Sequence, residues 1–378
     1  MELLPRYEFA QCVRRYDGEY RSKSFSCLDQ FLVMSFGQLT NRDSLRSTVL
    51  CLEAHRIKLY HLWFRSSLAR RTISDANETR DWRIYRDFAT ALISHARKLY
   101  ASDPEGFEEI SWSVYALDSS TIDLCMSLFP WATFRTTKSA VKLHTLLDIR
   151  TNIPTFIHIT EAACADVSIW QDLPLEPWSW YVVDRWYVDF KQYHRLTTSS
   201  CYFVTRSKTN TSWKRIVSNP LSETDKQAWV RSDQLMKLSG SRSKKDYPDR
   251  IRRIRYYDHE TKKYFVFMTN NLIVSPLLIA ELYKSRWSVE LFFRWIKQHL
   301  RVQVFYGFSE NAVKIQIWIA VSVYVLAAIL KKELKLSQSL YEILQVLWVS
   351  VFDKSPISSL FSKQVSNDSS DSDQTSLF

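Results

Sequence analysis

The chain has 378 residues, of which 46% are hydrophobic and 14% aromatic, and this composition excludes an intrinsically disordered protein. The length is sufficient for two or three domains. Only 5 residues are glycine, so the sequence has almost no material for the glycine-rich phosphate loops of nucleotide-dependent enzymes. The cysteines form no Cys-x-x-Cys pair and no zinc-ligand spacing, which indicates reduced thiols in a cytoplasmic protein.

The net charge of +11 is concentrated in one part of the chain. Residues 106–200 carry 7 basic and 11 acidic side chains, whereas residues 201–271 carry 16 basic and 7 acidic ones. An acidic segment followed by a basic one is typical of an enzyme that acts on a polyanion, because carboxylates hold cations while Lys and Arg neutralise phosphates. Charge alone leaves open a solvated basic surface that has no nucleic-acid partner.

The N-terminal part of the chain is predicted to be helical. Apolar residues recur at intervals of three and four over 28–100, and the basic residues within 42–71 outnumber the acidic ones seven to two. A Pro-Glu-Gly sequence at 104–106 interrupts this pattern and marks a boundary. Beyond it a period of two predicts strands at 113–118, 142–148, 154–160 and 178–184, with a short helix at 166–172.

The basic segment is predicted to be a β-rich insertion, with strands at 201–206, 250–257 and 264–269. A long helix follows over 277–300. The apolar run 315–330 has 16 residues, fewer than the roughly 20 that span a bilayer, and it predicts a buried core helix over 311–334. The Ser/Asp-rich end, 362–378, is predicted to be disordered.

Two acidic residues, Asp118 and Asp184, lie at the ends of apolar strands, where functional sites are built in mixed α/β sheets. The other acidic and imidazole side chains of these strands and turns are expected to be structural. Asp123 would face the other way from Asp118 on a continuous strand, and Asp148 and Asp189 are expected to be turn or cap residues. His144 and His158 have no Cys or His partner nearby in the sequence.

The helix predicted over 277–300 carries a polar stripe. With Tyr283 as the origin, Arg286, Glu290 and Lys297 lie at about −60°, −20° and −40°, so the four side chains share one face over about 21 Å. Such a stripe is long enough to follow several phosphates of a DNA backbone. An exposed amphipathic face with an Arg286–Glu290 ion pair would produce the same pattern.

The spacing Tyr-x2-Arg-x3-Glu-x6-Lys at 283–297 resembles the signature of the DDE transposases of bacterial insertion sequences, in the subgroup named for these four residues. The sequences at 115–124, 142–148 and 183–190 resemble the first and second Asp regions of that family, in the same order. The resemblance covers residues 20–360.

The resemblance implies an α/β fold with a ribonuclease-H-like mixed sheet flanked by helices, a β-rich insertion before the last catalytic helix, and an N-terminal helical domain. The implied domains are a helical, DNA-binding N-terminal domain at 1–105, the first part of the catalytic core at 106–200, the basic β-rich insertion at 201–271, the last part of the core at 272–361, and a disordered tail at 362–378.

The resemblance also implies that Asp118, Asp184 and Glu290 are the catalytic DDE triad and bind Mg²⁺ or Mn²⁺. Three clustered carboxylates are hard oxygen ligands, and two such ions can hold the attacking and leaving oxygens of a phosphoryl transfer. The implied phosphate and DNA contacts come from five side chains: Tyr283, Arg286, Lys297, Arg294 and Arg185. For Arg185, a salt bridge at the sheet edge is the alternative.

The function implied is cut-and-paste DNA transposition, in which a homodimer binds the inverted-repeat ends of an insertion sequence, cleaves them and joins them to target DNA. A flipped base in a hairpin intermediate would stack on an aromatic side chain, for which Trp213 and Trp229 are candidates. No membrane or small-molecule substrate is implied, and the location is the bacterial cytoplasm, at the nucleoid.

Two alternatives stay open. Trp186 follows Asp184-Arg185, where the family has a small residue, and a bulky side chain there could displace a metal ligand. The protein would then be a catalytically impaired copy that binds DNA ends as a regulator. The other alternative is a structure-selective nuclease on the same fold.

Overall fold

In the computed structural model, the described residues are 4–20, 22, 24–55, 68–101, 109–135, 138–299, 304–350 and 360. The chain divides into two compact units, a helical one formed by Met1–Ser102 with Ile296–Phe378 and one built on a sheet over Asp103–Trp295. The predicted boundary at 104–106 and the predicted tail at 362–378 lie outside the described residues.

The helical unit contains α1 (Arg6–Arg15), α2 (Cys27–Leu39), α3 (Leu45–Ala54), α4 (Arg70–Thr79), α5 (Arg83–Tyr100), α11 (Glu310–Glu333) and α12 (Leu340–Ser350). Local signals set the helix ends. Ser26 caps α2 by accepting from the backbone N–H of Asp29, while the Asp29 carboxylate accepts from the Ser26 N–H, so two otherwise unpaired N–H groups are satisfied. The helical prediction for this part of the chain is confirmed where residues are described.

Helix α11 is the apolar element of this unit. It is long and apolar enough to cross a membrane, with a mean hydropathy of 2.1, but 89% of its most apolar window is buried inside the protein. Its N-terminus is held by Asn311, whose side-chain amide donates to the Arg80 carbonyl at 2.7 Å. The predicted core helix over 311–334 is therefore confirmed to within one residue at each end.

The second unit is built on a ten-stranded mixed sheet. Its strands are β1 (Val114–Leu124), β2 (Thr133–Arg135), β3 (Lys138–Asp148), β4 (Ile153–Glu161), β5 (Trp180–Val183), β6 (Tyr202–Arg206), β7 (Trp213–Asn219), β8 (Val230–Leu238), β9 (Ile251–Asp258) and β10 (Lys263–Thr269). The order is β2-β3-β1-β5-β6-β10-β9-β8-β7, and β4 pairs with β3. Antiparallel β4, β3 and β1 are followed by parallel β5 and β6, and helix α6 (Phe190–Thr198) makes the crossover between β5 and β6.

Strands β7 to β10 extend the sheet beyond β6, so the β-rich segment is continuous with the core. The structure also contains two short helices here, α7 (Glu223–Gln227) and α8 (Ser241–Asp246). Strand β6, at residues expected to lie in the insertion, pairs in parallel with β5 and completes the core sheet. The rise in positive charge begins at its last residue, Arg206, so composition does not mark the point at which the chain leaves the core.

The sheet has two faces, named here front and back, because successive side chains of a strand alternate. The front face packs on α9 (Pro276–Ser285) through Val114, Trp180, Val182, Leu278 and Ile279. The back face packs on α6 through Tyr115, Tyr181, Val183, Tyr193 and Leu196.

The single helix predicted over 277–300 is wrong in detail. The structure has α9, then a junction at Arg286, α10 (Trp287–Arg294), and a π-helical turn at Trp295–His299. A π turn has a wider hydrogen-bonding step than an α-helix, so it rotates the residues after it out of the α-helical phase. The predicted helix end at residue 300 lies outside the described residues.

Candidate active site

Two carboxylates meet at the front face where β5 ends. Leu117 is paired with Val183 across the parallel strands β1 and β5, so the next residues, Asp118 and Asp184, are neighbours on the front face. Asp184 also begins a short 3-10 turn at Arg185–Tyr187, in which its carboxylate accepts from the backbone N–H of Trp186 at 3.2 Å. The strand register therefore places both acids at one edge.

The front helices bring the predicted polar stripe to these acids. The Arg286 guanidinium donates to the carboxylate of Asp118 and, at 2.7 Å, to that of Glu290. The hydroxyl of Tyr283 donates to Asp184 Oδ1 at 3.4 Å. Asp118 and Arg286 are 168 positions apart in the chain, so this cluster is produced by the fold. We call these five residues the carboxylate cluster.

Burial and mutual repulsion set the electrostatics of the carboxylate cluster. Burial, together with the charges of Asp184 and Glu290, raises the pKa of Asp118 to about 6 against the lowering effect of Arg286. Burial likewise raises the pKa of Tyr283 to about 12. For Arg286, burial is the largest single effect and lowers the pKa, but the combined attraction to Asp118, Tyr283 and the other carboxylates outweighs it, and the net direction is upward. One guanidinium thus compensates three carboxylates incompletely.

A metal-ligand geometry is not formed in this arrangement. Within the described ranges, no group of three or more His, Cys, Asp or Glu side chains is disposed so that it could hold a metal ion. The Arg286 side chain lies between Asp118 and Glu290 as their counter-cation, and its Nε atom is buried with no hydrogen-bond acceptor among the described residues.

The other predicted DNA contacts are Lys297, Arg294 and Arg185. Lys297 lies on the π-helical turn, in the segment from Ile296 onward that belongs to the helical unit, and Arg294 is exposed on α10. Arg185 is exposed, with its guanidinium 5.2 Å from the ring centre of Trp186. Trp186 itself is 64% exposed, so its side chain does not displace Asp184.

The back face carries a second polar group that the sequence analysis missed. Asp166 accepts from the hydroxyl of Ser119 at 2.8 Å and from the ammonium of Lys142 at 3.1 Å. The buried ring of His144 lies 3.9 Å from Asp166 and 3.1 Å from the hydroxyl of Tyr187. We call these five residues the Asp166 cluster. The available signal was the alternation of polar residues at 142 and 144, next to the strand of Asp118.

The side chains expected to be structural are structural where the contacts are described. Asp189 caps α6 by accepting from the backbone N–H groups of Lys191 and Gln192. Asp148 accepts from the backbone N–H of Arg150 at 3.0 Å. His144 is fully buried, and burial lowers its pKa to about 4.

An aromatic cleft of about 480 Å³ opens on the front face beside the carboxylate cluster. Its aromatic lining residues are Tyr256, Phe265, Phe267, Tyr283 and Trp287, and its cationic ones are Arg206, Lys284 and Arg286. The two tryptophans expected to stack on a base do not line it. Trp213 packs against the back-face core, and Trp229 contacts Tyr257, which also faces back.

Comparisons with known proteins identify the family. Residues 112–326 match the family described as the transposase DDE domain, a range that includes Asp118, Asp184 and Glu290. Residues 1–65 match a domain of unknown function, DUF4372.

The chain is similar to two curated proteins. It is 25% identical over 296 residues to "Putative transposase y4zB" of Sinorhizobium fredii, covering 78% of this chain and 80% of the relative. It is 30% identical over 211 residues to "Probable transposase for insertion sequence element IS5377" of Geobacillus stearothermophilus, covering 56% and 54%.

Among solved structures, the chain resembles the piggyBac transposase in its synaptic complex with hairpin DNA. The TM-score is 0.46 and the identity 10%, with 96% of this chain and 78% of that chain covered. The family match extends over more than half of the chain and contains all three acids of the carboxylate cluster. The protein belongs to the DDE transposase family.

Proposed function

We propose that the protein catalyses cut-and-paste transposition: it binds the inverted-repeat ends of an insertion sequence, cleaves the DNA and transfers the strands to a target. The observation that carries the proposal is the convergence of Asp118, Asp184 and Glu290 around Arg286 on the front face. The order of antiparallel and parallel strands supports a ribonuclease-H-like core, and the spacing from Tyr283 to Lys297 supports the subgroup with that signature.

The donor set fits a divalent cation. Family members use divalent metal ions, and carboxylate oxygens are the ligands that Mg²⁺ and Mn²⁺ prefer. Asp118 is buried beside two further carboxylates that raise its pKa, so the cluster has an excess of negative charge that a cation would neutralise. Asp118, Asp184 and Glu290 would hold the ion, which would supply Lewis-acid stabilisation of the transferring phosphoryl group.

The remaining side chains of the carboxylate cluster orient the reactants. Arg286 is a fixed planar donor between Asp118 and Glu290, and the same fork can bind two oxygens of a phosphate. Tyr283 orients the Asp184 carboxylate through its hydroxyl. Lys297, Arg294 and Arg185 are proposed to contact the DNA backbone, and pairing of two ends calls for a homodimer.

The aromatic cleft is the proposed site for an extruded base. Trp287 is 52% exposed and lines it together with Tyr256 and Phe265, directly beside Arg286. A base leaving the helix next to the scissile phosphate would meet flat rings and a guanidinium. This assignment replaces Trp213 and Trp229.

An impaired copy that acts only as a regulator is not favoured. The bulky side chain of Trp186 would impair the site only by displacing Asp184, but it is exposed to solvent, and the Trp186 backbone N–H donates to the Asp184 carboxylate.

The test compares Asp118→Asn and Glu290→Gln with Asp123→Asn, a control on the same strand whose acid is exposed. DNA carrying a flanked transposon end is incubated with Mg²⁺ or Mn²⁺, and cleavage, strand transfer and end binding are measured. Both cluster variants should lose more than about 100-fold in cleavage and transfer, since loss of even an outer-shell partner costs 10- to 100-fold, while end binding persists. Wild-type strand transfer by both variants would refute the proposal.

A further inference from the structure

The back face of the sheet extension carries exposed aromatic rings in contact with one another. Tyr257 on β9 is paired with Tyr264 on β10, and their ring centres are 4.9 Å apart. Trp229, just before β8, lies 5.5 Å from Tyr257. Tyr264 is 54% exposed and Trp229 is 40% exposed, whereas large aromatic side chains usually bury most of their surface. We call Trp229, Arg231, Arg255, Tyr257 and Tyr264 the arginine–aromatic face.

Arginines lie over these rings. The guanidinium carbon of Arg255 is 4.4 Å from the ring centre of Tyr264, and that of Arg231 is 4.9 Å from Trp229 and 5.9 Å from Tyr257. In the part of the chain that the structure describes, neither arginine has a carboxylate within ion-pair distance. Their charge is thus available to an anion.

A third arginine adds to the excess of positive charge. Arg253 precedes Arg255 by two residues on β9, so the two side chains share the back face. Its Nε atom is buried without an acceptor among the described residues, and burial and the charge of Arg255 both lower its pKa. Two acids that follow Tyr257 in the chain, Asp258 and Glu260, line the aromatic cleft on the front face.

The chemistry of the face selects among possible partners. Arginines without carboxylate partners can bind an anion, and adjacent exposed rings can stack on flat groups. Unpaired DNA supplies both, as phosphates along the backbone and bases that are free to stack, whereas in a duplex the bases are already stacked on one another. We propose that the arginine–aromatic face binds an unpaired DNA strand.

This site is separate from the one at which DNA would be cut. Tyr256 faces front and lines the aromatic cleft, so its neighbour Tyr257 projects from the opposite side of the sheet. The face would hold a single-stranded segment outside the carboxylate cluster, and its binding needs neither metal nor the three acids.

The experiment measures binding of a fluorescent 15-nucleotide oligothymidine by anisotropy, in chelator, to the full chain carrying Asp118→Asn, so that the result does not depend on cleavage. Tyr264→Leu should weaken binding by about 10-fold, because one stacked base is lost, whereas Tyr264→Phe should retain it. Arg255→Gln should weaken binding more than Arg242→Gln, a control with the same charge loss at an exposed position on α8.

Two further probes test the rings and the unpaired strand. An abasic oligonucleotide of the same length should bind at least about 10-fold more weakly than oligothymidine, and a 15-base-pair duplex should be insensitive to Tyr264→Leu. Equal binding of the abasic strand, equal affinities of Tyr264→Leu and Tyr264→Phe, or equal effects of Arg255→Gln and Arg242→Gln would overturn the proposal. None of these outcomes bears on whether Asp118 and Glu290 are catalytic.

Discussion

The two faces of the sheet at β1 carry polar clusters of opposite character. On the front, Asp118 shares Arg286 with Glu290, and Asp184 lies beside them, so three carboxylates have one guanidinium. On the back, Asp166 has one ammonium, that of Lys142, and the hydroxyl of Ser119. The back cluster is balanced in charge, whereas the front cluster is not. Uncompensated charge therefore distinguishes the candidate reaction site from the polar scaffold behind it.

The Asp166 cluster supports the carboxylate cluster through a short helix. Asp166 begins the 3-10 helix Asp166–Gln171 and bonds Ser119, the residue after Asp118. From the same helix, Trp170 donates its indole N–H to the backbone carbonyl of Tyr187 at 3.0 Å, in the turn that follows Asp184. One element thus holds a residue that follows Asp118 and a residue in the turn that follows Asp184.

Among substitutions that test the contrast between the two clusters, Asp166→Ala is expected to have the largest effect on stability and cleavage. It removes the acceptor of the Ser119 hydroxyl and the counter-charge of the nearly buried Lys142 ammonium, which keeps only the Cys164 carbonyl as a partner among the described residues. The loss of this ion pair should lower the free energy of unfolding by about 3 kcal/mol. In the protein that remains folded, cleavage should fall by about 10- to 100-fold, as for other residues that orient metal ligands, while end binding is retained. Urea unfolding and a metal titration of cleavage measure the two effects.

The control is Asp172→Ala, an exposed acid at the end of the same 3-10 helix, which should change neither quantity. Asp166→Asn keeps an acceptor for Ser119 and should be intermediate. If Asp166→Ala cleaved DNA at the wild-type rate with an unchanged metal requirement, the back cluster would have no positioning role.

The free energy of unfolding should depend on pH with opposite sign at Asp118 on the front face and at His144 on the back face. Folding raises the pKa of Asp118 from 3.8 to about 6, so the folded state binds more protons between these values and the ionised form costs stability as pH rises. Folding lowers the pKa of His144 from 6.5 to about 4, so its contribution is present above 6.5 and is lost as pH falls. Each change corresponds to roughly 3 kcal/mol, and the two oppose each other.

In metal-free protein, Asp118→Asn should therefore gain stability relative to the wild type as pH rises from 4.5 to 6.5. His144→Gln should lose stability relative to the wild type over the same range. Urea unfolding at several pH values gives both differences, and groups common to all three proteins cancel. Differences of the same sign for both variants would contradict the contrast between the faces.

Local periodicity predicted one part of the front face, and long-range assembly determined the rest. Helical spacing placed Tyr283, Arg286 and Glu290 on one side because three or four residues separate neighbours on a helix face. The π-helical turn after α10 breaks that spacing before Lys297, and no pattern in the sequence marks it. Apolar runs and a period of two likewise predicted strands at the positions of β1 and β5.

Local sequence patterns did not predict the Asp166 cluster or the strands β7 and β8. Asp166, Lys142 and Ser119 come from three separate elements, so their proximity depends on the register of β1 with β3 and on the 3-10 helix. Strand β7 is exposed along most of its length, so it lacks the alternation of buried and exposed residues from which strands are predicted. Strand β8 is interrupted by a register shift near Val230.

The smallest effects on stability and cleavage are expected at Trp186, which lies in the chain between the two clusters and belongs to neither. Trp186 lies between Asp184 of the front cluster and Tyr187 of the back cluster, and its side chain is exposed beside Arg185. Trp186→Ala or Trp186→Gly keeps the N–H that supports Asp184, so the free energy of unfolding should change by no more than about 1 kcal/mol and end cleavage by less than about 2-fold. Tyr187→Phe, one residue later, removes the hydroxyl that bonds buried His144 and should cost about 1 kcal/mol together with a measurable loss of cleavage. A gain in cleavage of more than about 10-fold in Trp186→Gly would instead mean that the bulky ring impairs Asp184, and the front cluster as described would not be the active arrangement.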